Sequence, residues 1–532
     1  MHDSDDPEPP PPESSCKQPD VMRGRRGAIA TGHGDSSAAG LRVLDRGGNV
    51  VDAALAASAV MAVVMPHATT IGGDAFMLVR DATTGTVHGL NASGTAPAGA
   101  GPHLFSEGMK QRGGLAPVVP GLVRGWEALH RRFCSLPWQA LLDGAIGAAE
   151  SGFVANESLA DSVSSSMSLL LGDPGCAALF TPGGKALNTG QRVTQAALAQ
   201  TLKVIATEGA SALHGGAAGR AVTSHLRQHG GCMALQDLAD YRADWVEPLC
   251  VSYRNHRLHV MPPNSMGVLM LMQLRALATL PLDSITGNTI DRMLWQIRAM
   301  RASFKIALEE IGDPRSMRLS GHDLLVDEIS KRVQDLMHGD LAPALPAKAG
   351  GTACVTVADA AGNAACIVQS TFNPFGAHLL DPETGILFNN RMFNFDHRQG
   401  RVNSVGPGKR SAHTLNPVIA TEAGRLSLVH ASPGGVSQTI TGTQILMNVI
   451  DRRLDLPHAI GDGRWAVDRQ GNILIEPTVP SALLPVLRGM GLVARQVDDP
   501  YFYGSPTAIQ LSPDGALCAV ADARRQGAAL AF

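Results

Sequence analysis

Residues 38–45 place apolar side chains at helical spacing, and the pattern breaks at Gly47-Gly48-Asn49. An alanine-rich apolar run over 53–65 follows and stops at Pro66. This predicts helix, turn, helix, because a glycine pair interrupts the period and a proline ends the second segment. Residues 76–79 and 87–90 are short strand-like runs, and the polar stretch 81–85 between them is a hairpin signal. From 122 to about 341 the pattern is mostly helical, with a strand pair predicted around 249–260. The texture changes at Ala347-Lys348-Ala349-Gly350-Gly351. Beyond it the pattern predicts strand (353–358), turn (359–363) and strand (364–369), then strands at 385–388, 417–421 and 426–430 and a helix over 440–451. Helices and strands in this order predict a layered α/β or α+β fold whose sheet core lies in the last third of the chain.

With 532 residues the chain is long enough for one large or two to three ordinary domains. An apolar fraction of 44% against 17% charged residues supports a sizeable buried core. The formal net charge of -3 gives no electrostatic case for nucleic acid or an anionic membrane as partner. The longest apolar run, 53–65, is too short to cross a bilayer. The start, MHDSDDPEPPPPESS, is acidic and proline-rich and lacks the basic and apolar regions of a signal peptide. It reads as a disordered tail over 1–24, with ordered sequence beginning near Gly27, and the expected location is the cytoplasm. Eight cysteines show no CxxC spacing, so unpaired buried thiols are expected. The histidines are dispersed without an HExxH pattern, and no metal is expected.

Two segments carry candidate chemistry. In Gly351-Thr352-Ala353 a flexible residue precedes a threonine that opens a strand. Threonine is a poor nucleophile unless a base takes its proton, and its own α-amine serves once Thr352 becomes a chain terminus. A free α-amine titrates at about 7.7–8.0, suited to general-base work near neutrality. Glycine before the scissile bond permits the strained geometry of an N-to-O acyl shift. Taken alone, the same residues read as a plain turn. Ser432-Pro433-Gly434-Gly435 lies between a strand and a polar helix. Successive glycines there can aim backbone N–H groups into a cavity as an oxyanion hole, or make a tight turn. Ile71-Gly72-Gly73-Asp74 is no dinucleotide fingerprint, since the GxGxxG spacing is missing.

The chain carries, in order, GRRGAIATGHGDSSAAGLRVLDRGGNVVDAALAA (24–57), IGGDAFMLV (71–79), TAPA (95–98), VPGLVRGWEAL (119–129), DLADYRADWVEPL (237–249), MPPNSMG (261–267), GTACVTVADAAGNA (351–364), FGAHLLDPETGILFNNRM (375–392), GKRSAHTLNP (408–417) and SPGG (432–435). This ordered set resembles the γ-glutamyltransferase (γ-glutamyl transpeptidase) family of N-terminal-nucleophile hydrolases. The resemblance implies an α+β fold, the four-layer αββα sandwich. It also implies one precursor cut between Gly351 and Thr352 into a large subunit (25–351) and a small catalytic subunit (352–532). No cofactor is implied. The expected partners are a small-molecule amide and the two subunits of one precursor, with a homodimer of processed heterodimers as the larger assembly the family allows.

Carried over residue by residue, Thr352 is both processing residue and nucleophile. Ser370 matches a second hydroxyl residue that supports it. Gly434 and Gly435 match the oxyanion-hole glycines. His413 and Thr414 fall where the glutathione-cleaving members carry a serine pair facing the substrate, and Asn390, Arg391 and Asn394 fall in the segment that holds the glutamyl head. Three departures bear on substrate. Ser93 stands where those members place an arginine for the α-carboxylate, Asn394 where they use an aspartate for the α-ammonium, and Arg391 where they carry Gln or Glu. Serine cannot reproduce an arginine–carboxylate fork. Arg391 adds positive charge, so an acyl group with carboxylate or keto oxygen and no amine is expected, as in the branch containing oxamate amidohydrolases and acylases. The expected activity is hydrolysis or transfer of a γ-glutamyl-like or small acidic acyl amide through an acyl-enzyme. The alternatives are C–C bond hydrolysis by the same nucleophile and a non-processing scaffold relative.

Overall fold

A computed structural model describes residues 18–339, 351–468 and 470–532. Two seven-stranded antiparallel sheets lie face to face. In the first, the strands run in the order Asp20–Gly24, Leu517–Ala521, Thr507–Leu511, Arg425–Ala431, Val418–Glu422, His256–Val260, Leu249–Tyr253. In the second the order is Ala528–Ala531, Gly27–Thr31, Gly351–Asp359, Ala364–Phe372, Asp74–Arg80, Val87–Ala92, Asp244–Val246. The predicted candidate strand at Thr352 thus occupies the middle of a sheet.

The alternation of side chains explains the layering. Along Gly351–Asp359, Ala353, Val355 and Val357 join the core beneath one helical layer, while Cys354 and Ala358 join the core between the sheets. Along Asp74–Arg80, Ala75, Met77 and Val79 face the helices, and Phe76 and Leu78 face the other sheet. A strand buried on both faces reads as a continuous apolar run, while its period of two sorts the residues between layers. Helices Gly34–Asp45 and Val50–Val64 cover one sheet, and Gly267–Leu277, Thr289–Glu310 and Ser437–Ile450 cover the other. The order is helix, sheet, sheet, helix: the α+β sandwich expected from the sequence.

Helix Val50–Val64 is buried along its whole length between sheet and neighbouring helices, which is why its apolar pattern runs all round. Asn49 and Asp52 close its start as a capping box. Among the described residues no helix is long and apolar enough to cross a membrane.

Three expectations are corrected. Ordered structure begins before Gly27: Asp20–Gly24 is an edge strand paired with Leu517–Ala521, so the tail does not extend to residue 24. Residues 1–17 lie outside the described residues, as do 347–350 of the texture change. Residues 385–388 form no strand; Leu387 and Phe388 make isolated bridges to Leu380 and Gly72. The seven described cysteines are free, four buried and three partly exposed; Cys16 lies outside.

Candidate active site

Thr352 is the second residue of its strand and only 5% exposed. It has the parity of Cys354 and Thr356, the face turned to the other sheet, where the Gln438 side chain donates to its hydroxyl at 3.5 Å. Gln438 is held in turn by its own Oε1, which accepts the Asn416 N–H at 3.1 Å. Just before it, Gly434 and Gly435 have φ of 130° and 57°, a region where only glycine is unstrained. They lead into helix Ser437–Ile450. Among the described residues neither of their N–H groups donates to another protein atom. Free N–H groups at a helix start form an anion-stabilising concavity.

Gly351 is required for packing. A Cβ there would lie 2.8 Å from the His67 carbonyl oxygen and 3.1 Å from Ala68 Cα. Its φ is not in the left-handed region, so the sequence-based argument from backbone strain gives way to one from close approach.

The Ser370 hydroxyl donates to the Gly351 carbonyl and accepts the Phe372 N–H at 2.8 Å. The sequence placed Ser370 against the Thr352 oxygen; in the intact chain it holds the carbonyl before it. A bulge between Gly351 and Ala353 sets this register. The neighbouring Thr371 hydroxyl points elsewhere, to the Ala68 carbonyl at 3.3 Å. Phe372 takes φ of 80°, uncommon for an aromatic residue and a mark of imposed strain.

Arg391 is paired inside the fold. Its guanidinium is fully buried, pairs with Asp74 through Nε at 3.2 Å and Nη2 at 3.0 Å, and lies 4.5 Å over the Phe372 ring. Asp74 balances its charge, while Nη1 has no hydrogen-bond partner among the described residues. The His413 Nε2–H donates to the same carboxylate at 2.9 Å, and its Nδ1 accepts the Leu415 N–H at 3.3 Å. Burial and Arg391 push the His413 pKa down to about 4 against the pull of Asp74, which fixes the neutral tautomer that both bonds require. Burial alone would raise Asp74; Arg391 and His413 outweigh it and hold the carboxyl well below its ordinary range. Thr414 follows, also buried.

The other predicted substrate residues are occupied by internal bonds. Asn390 accepts the Asn373 N–H at 3.1 Å and donates to the Gln111 carbonyl at 2.9 Å. Asn394 donates to the Ala412 carbonyl. Ser93 donates to Asn91 at 2.6 Å and accepts from Asn264 at 3.2 Å and Arg410 at 3.3 Å. Arg410 thus brings a guanidinium to the Ser93 position from another segment, but Asp244 pairs with it at 2.6 Å.

A cavity opens on Thr352, lined also by His67, Ser158, Pro433, Tyr501 and Arg525. Burial first, then His33 and Arg525, hold the His67 pKa down to about 3, so it is neutral. Arg525 lies over the Tyr501 ring at 4.1 Å and donates to the Tyr501 carbonyl; its Nε has no hydrogen-bond partner. Sequence reasoning missed Gln438, Asp74, His67 and Arg525. Gln438 and Asp74 each follow a glycine-rich motif that was singled out, and those motifs were the available signal. Nothing local marks the other two.

A model of the gamma-glutamyltranspeptidase family matches residues 36–532. The chain is 34% identical over 529 residues to the acylase ACY 1 proenzyme of Pseudomonas sp. (strain SE83), across 96% of this chain and 94% of that protein. It is 28% identical over 554 residues to the glutathione hydrolase proenzyme of Escherichia coli (strain K12), across 97% and 94%. Among solved structures, cephalosporin acylase from Bacillus halodurans matches with a TM-score of 0.90 at 29% identity, over 100% of this chain and 99% of that one.

Proposed function

The chain belongs to the gamma-glutamyltranspeptidase family of N-terminal-nucleophile hydrolases, and on that premise we propose an enzyme that cuts itself before Thr352 and then uses Thr352 to hydrolyse an acidic acyl amide. The observation that carries this reading is the convergence on Thr352 of the Ser370-held Gly351 carbonyl and the Gln438 amide, with Pro433 of the glycine turn lining the same cavity.

In self-cleavage the Thr352 oxygen attacks the Gly351 carbonyl carbon, the hydroxyl proton passes to the Thr352 nitrogen as the C–N bond breaks, and an ester forms. Water then hydrolyses the ester, leaving a carboxylate on Gly351 and a free amine on Thr352. The Ser370 hydroxyl is already on the carbonyl oxygen where negative charge develops. In turnover the new amine takes the hydroxyl proton, the oxygen attacks the substrate acyl carbon, and the Gly434 and Gly435 N–H groups stabilise the oxyanion. The protonated α-amine returns that proton to the leaving amine as the substrate C–N bond breaks, and water then hydrolyses the acyl-enzyme ester. Intact Gly351-Thr352 and the open glycine turn argue against the scaffold alternative.

For the acyl group, Ser93, Asn390 and Asn394 are spent on the fold, and the Arg391 and Arg410 charges are paired. These contacts disfavour a free α-amino acid head. Arg525 in the cavity beside Thr352 supplies the cation for an acyl carboxylate in place of Arg391. The acylase names of the most similar proteins cited above fit this reading. Processed protein assayed against γ-glutamyl anilide, oxamate and short N-acyl amides with and without a terminal carboxylate tests it. Acidic acyl amides are expected to turn over fastest; γ-glutamyl anilide as the best substrate would refute the assignment.

A further inference from the structure

Away from Thr352, the structure brings Asp173, His225 and His229 together with their ligand atoms within 4.8 Å of one another, and from this cluster we propose that the protein binds one divalent transition metal, zinc being the expected ion. Dispersed histidines in the sequence had suggested none. His225 lies in the last turn of helix Ala217–Gln228 and His229 is its C-cap, so a spacing of four puts both rings on one face, 4.4 Å between centroids.

Each group is presented as a ligand would be. Among the described residues, His225 Nε2 is buried without a hydrogen-bond partner, an unfavourable arrangement when nothing satisfies the atom. Its Nδ1 lies 3.9 Å from Asp381 Oδ1, an electrostatic neighbour beyond hydrogen-bond distance. His229 Nδ1 donates to the His225 carbonyl at 2.9 Å, leaving Nε2 for the ion. Asp173 Oδ1 accepts the N–H groups of Cys176 at 2.8 Å and Leu380 at 3.3 Å, which fixes the carboxylate.

Two imidazoles and one carboxylate suit zinc and its transition-metal neighbours, whereas calcium and magnesium take oxygen ligands. Asp173 is buried and His229 exposed, so the ion has a route from solvent and water completes its coordination. Leu380 and Asp381 lie beyond Thr352, while the three ligands precede Gly351. The ion therefore braces a contact between the two pieces that self-cleavage would create. That role rests on the proposed processing; metal binding does not.

The test is calorimetry and elemental analysis of tag-free, metal-stripped full-length protein titrated with zinc chloride. One zinc per chain is expected, with a Kd tighter than about 10 μM and a rise in Tm. Cobalt(II) should show the visible d–d bands of a nitrogen–oxygen site. His229→Gln, at an exposed position that leaves the fold intact, should lose the zinc and the bands. No zinc uptake by the wild-type protein, or unchanged uptake by H229Q, overturns the proposal.

Discussion

In the intact chain the Ser370 hydroxyl donates its hydrogen bond to the carbonyl oxygen of Gly351, the group that cleavage before Thr352 would release. Ser370 is positioned for this by strand register and by the Phe372 N–H that donates into its oxygen at 2.8 Å. Ser370 therefore sits on the acyl side of the Gly351–Thr352 bond.

Ser370→Ala should slow self-cleavage. Losing one such donor costs about 1–3 kcal/mol, or about 5- to 150-fold at about 1.4 kcal/mol per decade. A gel time course of freshly folded precursor measures it, and Ser370→Thr should cleave faster than Ser370→Ala because it keeps a hydroxyl. Wild-type speed in the alanine variant would remove Ser370 from the processing step.

Gly351→Ala should impair cleavage for a steric reason. The added methyl would sit 2.8 Å from the His67 carbonyl oxygen, and overpacking of this kind costs about 1–3 kcal/mol. A lowered Tm together with accumulation of uncut chain is expected. Normal stability and complete cleavage would show that the strand shifts freely at this point.

Arg525→Gln separates charge recognition from catalysis. A charge-assisted contact is worth about 1.5–3 kcal/mol, so kcat/KM for an anionic acyl amide should fall by about 10- to 150-fold. A neutral acyl amide of the same length should be little changed. Equal losses on both substrates would mean that Arg525 holds the cavity wall and does not read the carboxylate.

The buried histidines set an acid limit on stability. His413 is held down to about 4 in the folded state against about 6.5 unfolded. Between those values the unfolded chain takes up a proton that the native state refuses. Stability from this group is complete above about pH 6.5 and declines as pH falls toward 4, by about 3 kcal/mol in total. His67, His214 and His430, each held down to about 3, act in the same direction. Thermal melts between pH 7 and 4.5 should show Tm falling steadily, and a flat profile would contradict the burial of these rings as neutral species.

What the sequence made legible was local. The period-two run after Gly351 and the glycines of 432–435 placed the Thr352 strand and the turn before helix Ser437–Ile450. The apolar residues 386–388 misled, because Gly376 lets that stretch fold back: a Cβ on Gly376 would lie 2.0 Å from the Phe388 oxygen. Arg391 looked like a cation for substrate because its partner, Asp74, sits in a distant segment and meets it only through sheet register, Asp74 pairing with Ser370. Charge read along a chain cannot show which charges are already paired in space. The same limit hid Asp173 from His225 and Arg525 from Thr352.

The central claim is that Thr352 becomes a chain terminus. N-terminal sequencing of the smaller fragment of purified protein, with intact mass of the larger one, tests it directly. The account predicts a small fragment beginning Thr352-Ala353-Cys354, a large one ending at Gly351, and a single uncut, inactive chain for Thr352→Ala. A small fragment that begins at any other residue, or a wild-type chain that is active while uncut, contradicts it.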